Sequence, residues 1–374
     1  LGDVYKRQLT RRLMPAALLP FRTSFIFLLI AIALRLWAAS PQRVERGYSR
    51  GVYPYVSAGL RRILGPVPFS MGDVLYLAAG IAVLVALGYG IVGLRHGSLG
   101  WARFISNITT TLLAVYLLFE TLWGLNYSRR SAAQNFDLPV GRYSTAEVVA
   151  LTQTLHTRLT GLAPKVAGTD WTQYHHMNTL AQQTVLVYQE AEQTNMAFTY
   201  RHPSIKPSLL SGAGKYFGFT GYYNPFTGEA QIKTSIPPFL KPFVLLHEVA
   251  HQVGYAKEME ANFVAYLTGK ASANDNFRYS VYFEMWLYAA AEGRQRLGTD
   301  WYKTQLEALP QVAQQHVQEL REYLLQNQNR IEPYISKVYG AFLKWNRQPE
   351  GTASYNAVVG WLVAYGKKHS YQNL

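Results

Sequence analysis

The chain has 374 residues, enough for two folded units, and carries 36 Lys and Arg against 22 Asp and Glu. It contains no cysteine, which excludes disulfides, thiolate metal sites and a thiol nucleophile. The positive charge is concentrated in residues 1–130, which hold 15 basic and 4 acidic residues. Arginines there flank long apolar runs, as they do beside membrane spans, and no aromatic or motif support for a basic nucleic-acid face accompanies them, so a nucleic-acid partner is not expected.

The opening Leu1–Gln8 lacks an initiator Met and reads as extraneous to the fold. Thr23–Ala39 is apolar except for Arg35 and comes after Arg11, Arg12 and Arg22. Without a convincing small-residue cleavage pattern, it reads as a retained membrane helix. Val74–Leu94 runs 21 residues with no charge, enough to cross a hydrocarbon core of about 30 Å. Phe104–Tyr127 is apolar apart from Glu120. That carboxylate reads as interfacial, near the helix end beside Trp123 and Tyr127, the other reading being a polar site between helices. Approximate spans are thus 23–39, 74–94 and 104–127. Between the first two, the Gly and Pro of Tyr48–Pro54 and Pro66–Asp73 predict turns and short helices on the membrane surface. Basic residues number seven on each side of the membrane and do not fix orientation. Three spans put residues 131–374 opposite the N-terminus, and an extracytoplasmic placement on the inner (cytoplasmic) membrane is expected.

From residue 131 the composition is that of a soluble protein, so the chain divides into a membrane anchor (1–130) and a second domain (131–374). Ser144-Thr145-Ala146-Glu147 predicts a capping box and a helix to about Leu162. Asp170 predicts the cap of another, from Trp171 to about Gln193, with His175 and His176 as ordinary surface or core histidines. Tyr216-Phe217-Gly218-Phe219-Thr220-Gly221-Tyr222-Tyr223 and Glu229–Lys233 predict two short strands about an Asn224–Gly228 turn, with an edge that an extended substrate can pair with. Helices are predicted over about 240–253, 257–269, 279–297, 300–326, 331–345 and 355–365. The class is mainly α with a small β element.

Within this frame stands His247-Glu248-Val249-Ala250-His251. Two histidines four apart share one helix face and can hold one ion. Glu248, about 100° round from His247, can reach a metal-activated water as general base. The surrounding Leu245, Leu246, Val249 and Ala250 place the helix in the interior, where unpaired imidazoles would be costly. A catalytic Zn2+ takes three protein ligands and a water. Lys257 stands where the extended metzincin pattern needs a third histidine, which leaves Glu258 and Glu260. Glu260 is expected to be the ligand, on the inward-packing side of its helix. Glu258 is the alternative, since a surface acid at the helix N-terminus would account for it equally well. Tyr222 or Tyr223 is a candidate oxyanion donor.

The sequence resembles a family of bacterial membrane proteins of unknown function, common in the Bacteroidetes, that join N-terminal spans to a zincin-like domain. The resemblance rests on Pro68–Asp73, Trp123–Tyr127, Gly221–Ala230, the central motif with Glu260-Ala261-Asn262-Phe263, and Leu343-Lys344 with Asn346. Trp345 departs from the small residue expected there. The resemblance implies a membrane-anchored metallopeptidase-like protein. The expected activity is therefore zinc-dependent hydrolysis of peptide bonds in a protein or peptide substrate at the lipid bilayer. The rival is an inactive zincin-like metal-binding scaffold.

Overall fold

The computed structural model describes residues 16–348, 351 and 357–374. Leu1–Gln8, Arg11, Arg12 and the expected start of the last helix at Tyr355 lie outside them. The described part is mainly helical with one small sheet.

Three helices are long and apolar enough to cross a membrane: Leu19–Trp37, Met71–Arg95 and Trp101–Leu122. The first is mostly α1 (Arg22–Trp37), which is followed by a π-helical stretch Val44–Val52 and α2 (Tyr53–Leu64). The second and third are α3 (Met71–Arg95) and α4 (Trp101–Leu122). Glu120 is not at a wet interface. Its side chain is wholly buried and lies 3.1 Å from the Arg35 guanidinium of α1, which makes it an interhelical ion pair. A carboxylate at that level is costly unless paired, and the one charge in the first apolar run supplies the partner.

Beyond the spans come α5 (Thr145–Val166), opened by the Ser144/Glu147 capping box, and α6 (Met177–Thr194). Asp170 caps a short 3-10 turn, Trp171–His175, rather than the long helix expected there, so His175 and His176 precede α6 instead of riding on it. Strands β1 (Ile205–Pro207), β2 (Gly221–Asn224) and β3 (Glu229–Ile232) form one sheet in the order β1-β3-β2. β1 runs parallel to β3, and β2 antiparallel to it with Tyr222 opposite Gln231. β2 is therefore an edge strand.

The remaining helices are α7 (Lys241–Gln252), α8 (Glu258–Lys270), α9 (Asp275–Leu297), α10 (Thr299–Glu307), α11 (Gln311–Asn327), α12 (Glu332–Trp345) and α13 (Val358–His369). Pro310 divides the expected 300–326 helix into α10 and α11, because it cannot donate to the preceding turn. Every residue of α7 is buried, the polar Lys241, His247, Glu248, His251 and Gln252 included. It packs on β3, α8, α9 and α6.

The spans do not end in a separate layer. Ala38, Val44, Tyr48, Tyr53, Trp123, Leu125 and Tyr127 share one core with Tyr223 and Ala256. Stretches that carry the resemblance also meet in space. Buried Glu229 accepts the N–H groups of Met71 (3.2 Å) and Gly72 (2.6 Å) at the start of α3, where a carboxylate suits the free donors of a helix N-terminus. Asp73 accepts from Leu209 N–H at 2.7 Å and from the hydroxyl of Tyr222. A Cβ on Gly72 would come within 2.4 Å of the Asn224 amide, so only glycine admits this contact.

Candidate metal centre

α7 presents His247 and His251 on one face, and Gly254, at φ +97°, turns the chain so that the first turn of α8 faces back on them. The His247 and His251 Nε2 atoms lie 3.1 Å apart, and Glu258 Oε2 is 3.2 Å from the first and 3.5 Å from the second. All three side chains are buried.

The far side of each ring is fixed. His251 Nδ1 meets the Tyr255 carbonyl and His247 Nδ1 the Asn262 side-chain oxygen, both at 2.7 Å. A carbonyl only accepts, so Nδ1 carries the hydrogen and each Nε2 turns a lone pair toward Glu258. The other carboxylate oxygen of Glu258 accepts from the Tyr339 hydroxyl at 2.7 Å, and its backbone N–H donates to Gln348 at 3.0 Å.

Three acceptor atoms converging in a buried space fit a cation. Ligand bonds of about 2.0–2.1 Å in a tetrahedron place donor atoms about 3.3–3.4 Å apart, close to the spacing observed. Two nitrogens and one carboxylate oxygen, each held by a further hydrogen bond, are also a donor set that suits zinc.

Glu260, the ligand expected from sequence, is not in this group. It is buried as well, but its carboxylate faces Lys257 Nζ (3.6 Å) and the Ala132 N–H (3.4 Å). Two residues along a helix is about 200° of rotation, so Glu258 and Glu260 cannot point the same way. The carboxylate that converges with the two histidines is that of the alternative, Glu258.

Glu248 lies beside the group on the same helix. Its Oε2 is buried with no hydrogen-bond partner, and burial pushes its pKa up to about 8. β2 passes close by: a Cβ on Gly221 would lie 2.7 Å from Glu248 Oε1 and 2.9 Å from the Gln231 carbonyl. The hydroxyls of the two tyrosines are engaged elsewhere. Tyr222 bonds Asp73 and Ser208, and Tyr223 lies 3.4 Å from the Tyr53 hydroxyl. Neither is aimed at the group. His175 is also remote, 3.1 Å from Lys241 Nζ.

Two cavities meet at this point. One, of about 670 Å³, includes His247, Glu248, His251 and Glu258 in its wall and runs down to the faces of the spans. The other, of about 500 Å³, also includes Gly221, His247 and Glu248 in its wall and extends to Gly218, Phe243 and Glu284. Tyr339 lines both. Sequence reasoning missed Tyr339 and Gln348, which lie 81 and 90 residues from Glu258 and carry no local signal. Asn262 was within reach, being four residues after Glu258 and so on the same helix face.

Comparison with curated proteins and with solved structures returns no match. The chain belongs to the family described as "Protein of unknown function (DUF3810)", which matches it over residues 48–363.

Proposed function

We propose that the protein is a membrane-anchored zinc-dependent metallopeptidase. The observation that carries this reading is the buried His247–His251–Glu258 group with the unpartnered carboxylate of Glu248 beside it. A zinc ion held there would supply Lewis acidity toward a peptide carbonyl and acidify a water molecule. Glu248 takes a proton from the attacking water and delivers it to the departing amine, so that the peptide C–N bond is exchanged for a carboxylate and an amine. Asn262, the Tyr255 carbonyl and Tyr339 hold the ligands in orientation. The free edge of β2, drawn against Glu248 by Gly221, offers backbone groups to an extended peptide.

The test uses full-length protein in nanodiscs. It should bind about one zinc per chain and cleave a diverse peptide pool. Glu248→Gln should keep the zinc and lose about 10²–10⁴-fold in rate, the range of general acid–base catalysis. Persistent cleavage in that variant overturns the role of Glu248. A zinc-loaded wild type that cleaves nothing favours the scaffold reading. We propose the extracytoplasmic side for the site, which three spans give when the segment before the first span is cytoplasmic. Reporter fusions after residue 130 should be active outside the cytoplasm, and a cytoplasmic signal reverses the assignment.

A further inference from the structure

The larger cavity joins the metal group to the membrane. On α4 its wall includes Leu112, Val115, Tyr116 and Phe119, and on α3 Tyr76; α1, held against α4 by Ser24–Thr110 (2.7 Å) and Arg35–Glu120 (3.1 Å), adds Arg35. Leu112 precedes the end of α4 by ten residues, about 15 Å along a helix axis, which is half the depth of a hydrocarbon core of about 30 Å. Leu112 and Val115 are 66% and 50% exposed, on the helix face that a bilayer would cover. α12 forms a bridge across the top. Its Trp345 stacks on Tyr116 at 6.0 Å, and its Tyr339 bonds Glu258. The cavity is thus an apolar passage that starts at lipid depth and ends at the candidate zinc ligands.

The second cavity has a different character. Among the described residues its lining includes the carboxylates of Glu284 and Glu332 beside Glu248 and has no Lys or Arg. A substrate crossing the site from one cavity to the other would have an apolar part on the membrane side and a neutral or basic peptide part on the other.

Volume selects the apolar part. A single turn of α-helix, 5.4 Å long and about 10 Å across, occupies on the order of 420 Å³. A cavity of about 670 Å³ therefore holds fewer than two turns of a transmembrane helix, whereas one flexible hydrocarbon chain fits the usual range of ligand pockets, about 300–1,000 Å³. Resting on the metallopeptidase reading, we propose that the substrate is an acylated peptide. Its hydrocarbon chain enters laterally from the bilayer between α3 and α4, and its peptide passes Glu248 into the acidic cavity.

The test separates binding from cleavage. Full-length Glu248→Gln protein in nanodiscs is photolysed with a lysine-containing peptide whose N-terminal palmitoyl chain carries a diazirine, and the labelled residues are mapped by mass spectrometry. Labels should fall on Tyr116, Phe119 and Leu112 and be competed by the unlabelled palmitoyl peptide but not by the same peptide without the chain. Leu112→Trp, which fills the passage, should cut this labelling about tenfold, while Leu84→Trp, lipid-facing on α3 and outside the passage, should leave it unchanged. Wild-type protein should cleave the palmitoyl peptide at least about tenfold faster than the plain one. Equal labelling in Leu112→Trp overturns the passage. A diazirine-bearing phospholipid that labels the same residues without competition by the acyl peptide shows that bilayer lipid alone fills it, and also overturns the proposal. Faster cleavage of a transmembrane peptide than of the palmitoyl peptide overturns the substrate class. Labelling as expected with no cleavage of any peptide leaves the passage standing and removes the peptidase reading beneath it.

Discussion

At the scale of single residues, Glu258 and Glu260 differ in direction rather than in burial. Both are almost fully buried, yet only the first faces the histidines. Glu258→Ala should therefore reduce zinc binding from about one per chain to a small fraction, and Glu260→Ala should retain it, as measured by elemental analysis after dialysis against a weak chelator. Asn262→Ala, which frees the far side of His247, should weaken zinc affinity by about 10–100-fold without abolishing it. Retained zinc in Glu258→Ala with loss in Glu260→Ala would return the ligand role to Glu260. The two histidines and Glu248 were legible in the sequence because helical periodicity alone puts them together. The third member of the group was not, because the direction of Glu258 depends on the angle set by Gly254 and on Tyr339 arriving from α12. Most of α8 is buried, so facing inward does not distinguish the site from the rest of the core.

At the scale of elements, α7 is held at its start by an aromatic cage. The ring of His316 on α11 stacks on Phe239 at 4.0 Å, just before α7, and its Nδ1 lies 2.7 Å from the Tyr279 hydroxyl. Trp171 and Phe283 complete the cage. Burial lowers the His316 pKa to about 4. An unfolded chain titrates this group near 6.5, so between about 6.5 and 4 the unfolded state binds the extra proton and the folded state does not. Stability contributed by His316 is therefore complete above about pH 6.5 and falls as pH drops toward 4. Thermal melting of the full chain should show a decline over that window that His316→Phe makes shallower, and an unchanged slope in the variant would exclude the histidine as its source. Most elements were legible from capping, proline and hydrophobic period, including the Ser144 box and the β2–β3 hairpin. β1 was not, since three residues are too short to show a period, and its pairing with β3 is a long-range contact.

At the scale of the whole molecule, the membrane-proximal segments finish the metal helix. The last carbonyls of an α-helix have no partner within it. Those of α7 and its turn are met by side chains from residues 53–129. Tyr53 and Ser57 donate to Gln252 O (2.9 and 3.0 Å), Arg61 to Gln252 O (3.2 Å), Trp123 to His251 O (3.2 Å) and Arg129 to Gly254 O (2.9 Å). Arg129 is itself fixed by two bonds of 2.8 Å to buried Glu45. At about 1 kcal/mol net per hydrogen bond, and with two full bonds to the two lone pairs of Gln252 O, these side chains contribute about 4 kcal/mol, before the apolar surface of Tyr53 and Trp123 is counted. A whole domain is stable by only about 5–15 kcal/mol. Residues 131–374 expressed alone should therefore aggregate or bind zinc substoichiometrically, although the sequence divides at that boundary and every candidate ligand lies beyond it. In the intact chain, Arg129→Met leaves buried Glu45 with only Arg50 (2.8 Å) and Asn135 (3.1 Å), a loss of about 1.5–3 kcal/mol for bonds to a charged group, and should lower the melting temperature by about 5 °C. A soluble 131–374 fragment that melts like the full chain and holds one zinc would show that the membrane segments only anchor the site. Aggregation of the fragment together with the Arg129→Met shift would show that they build it.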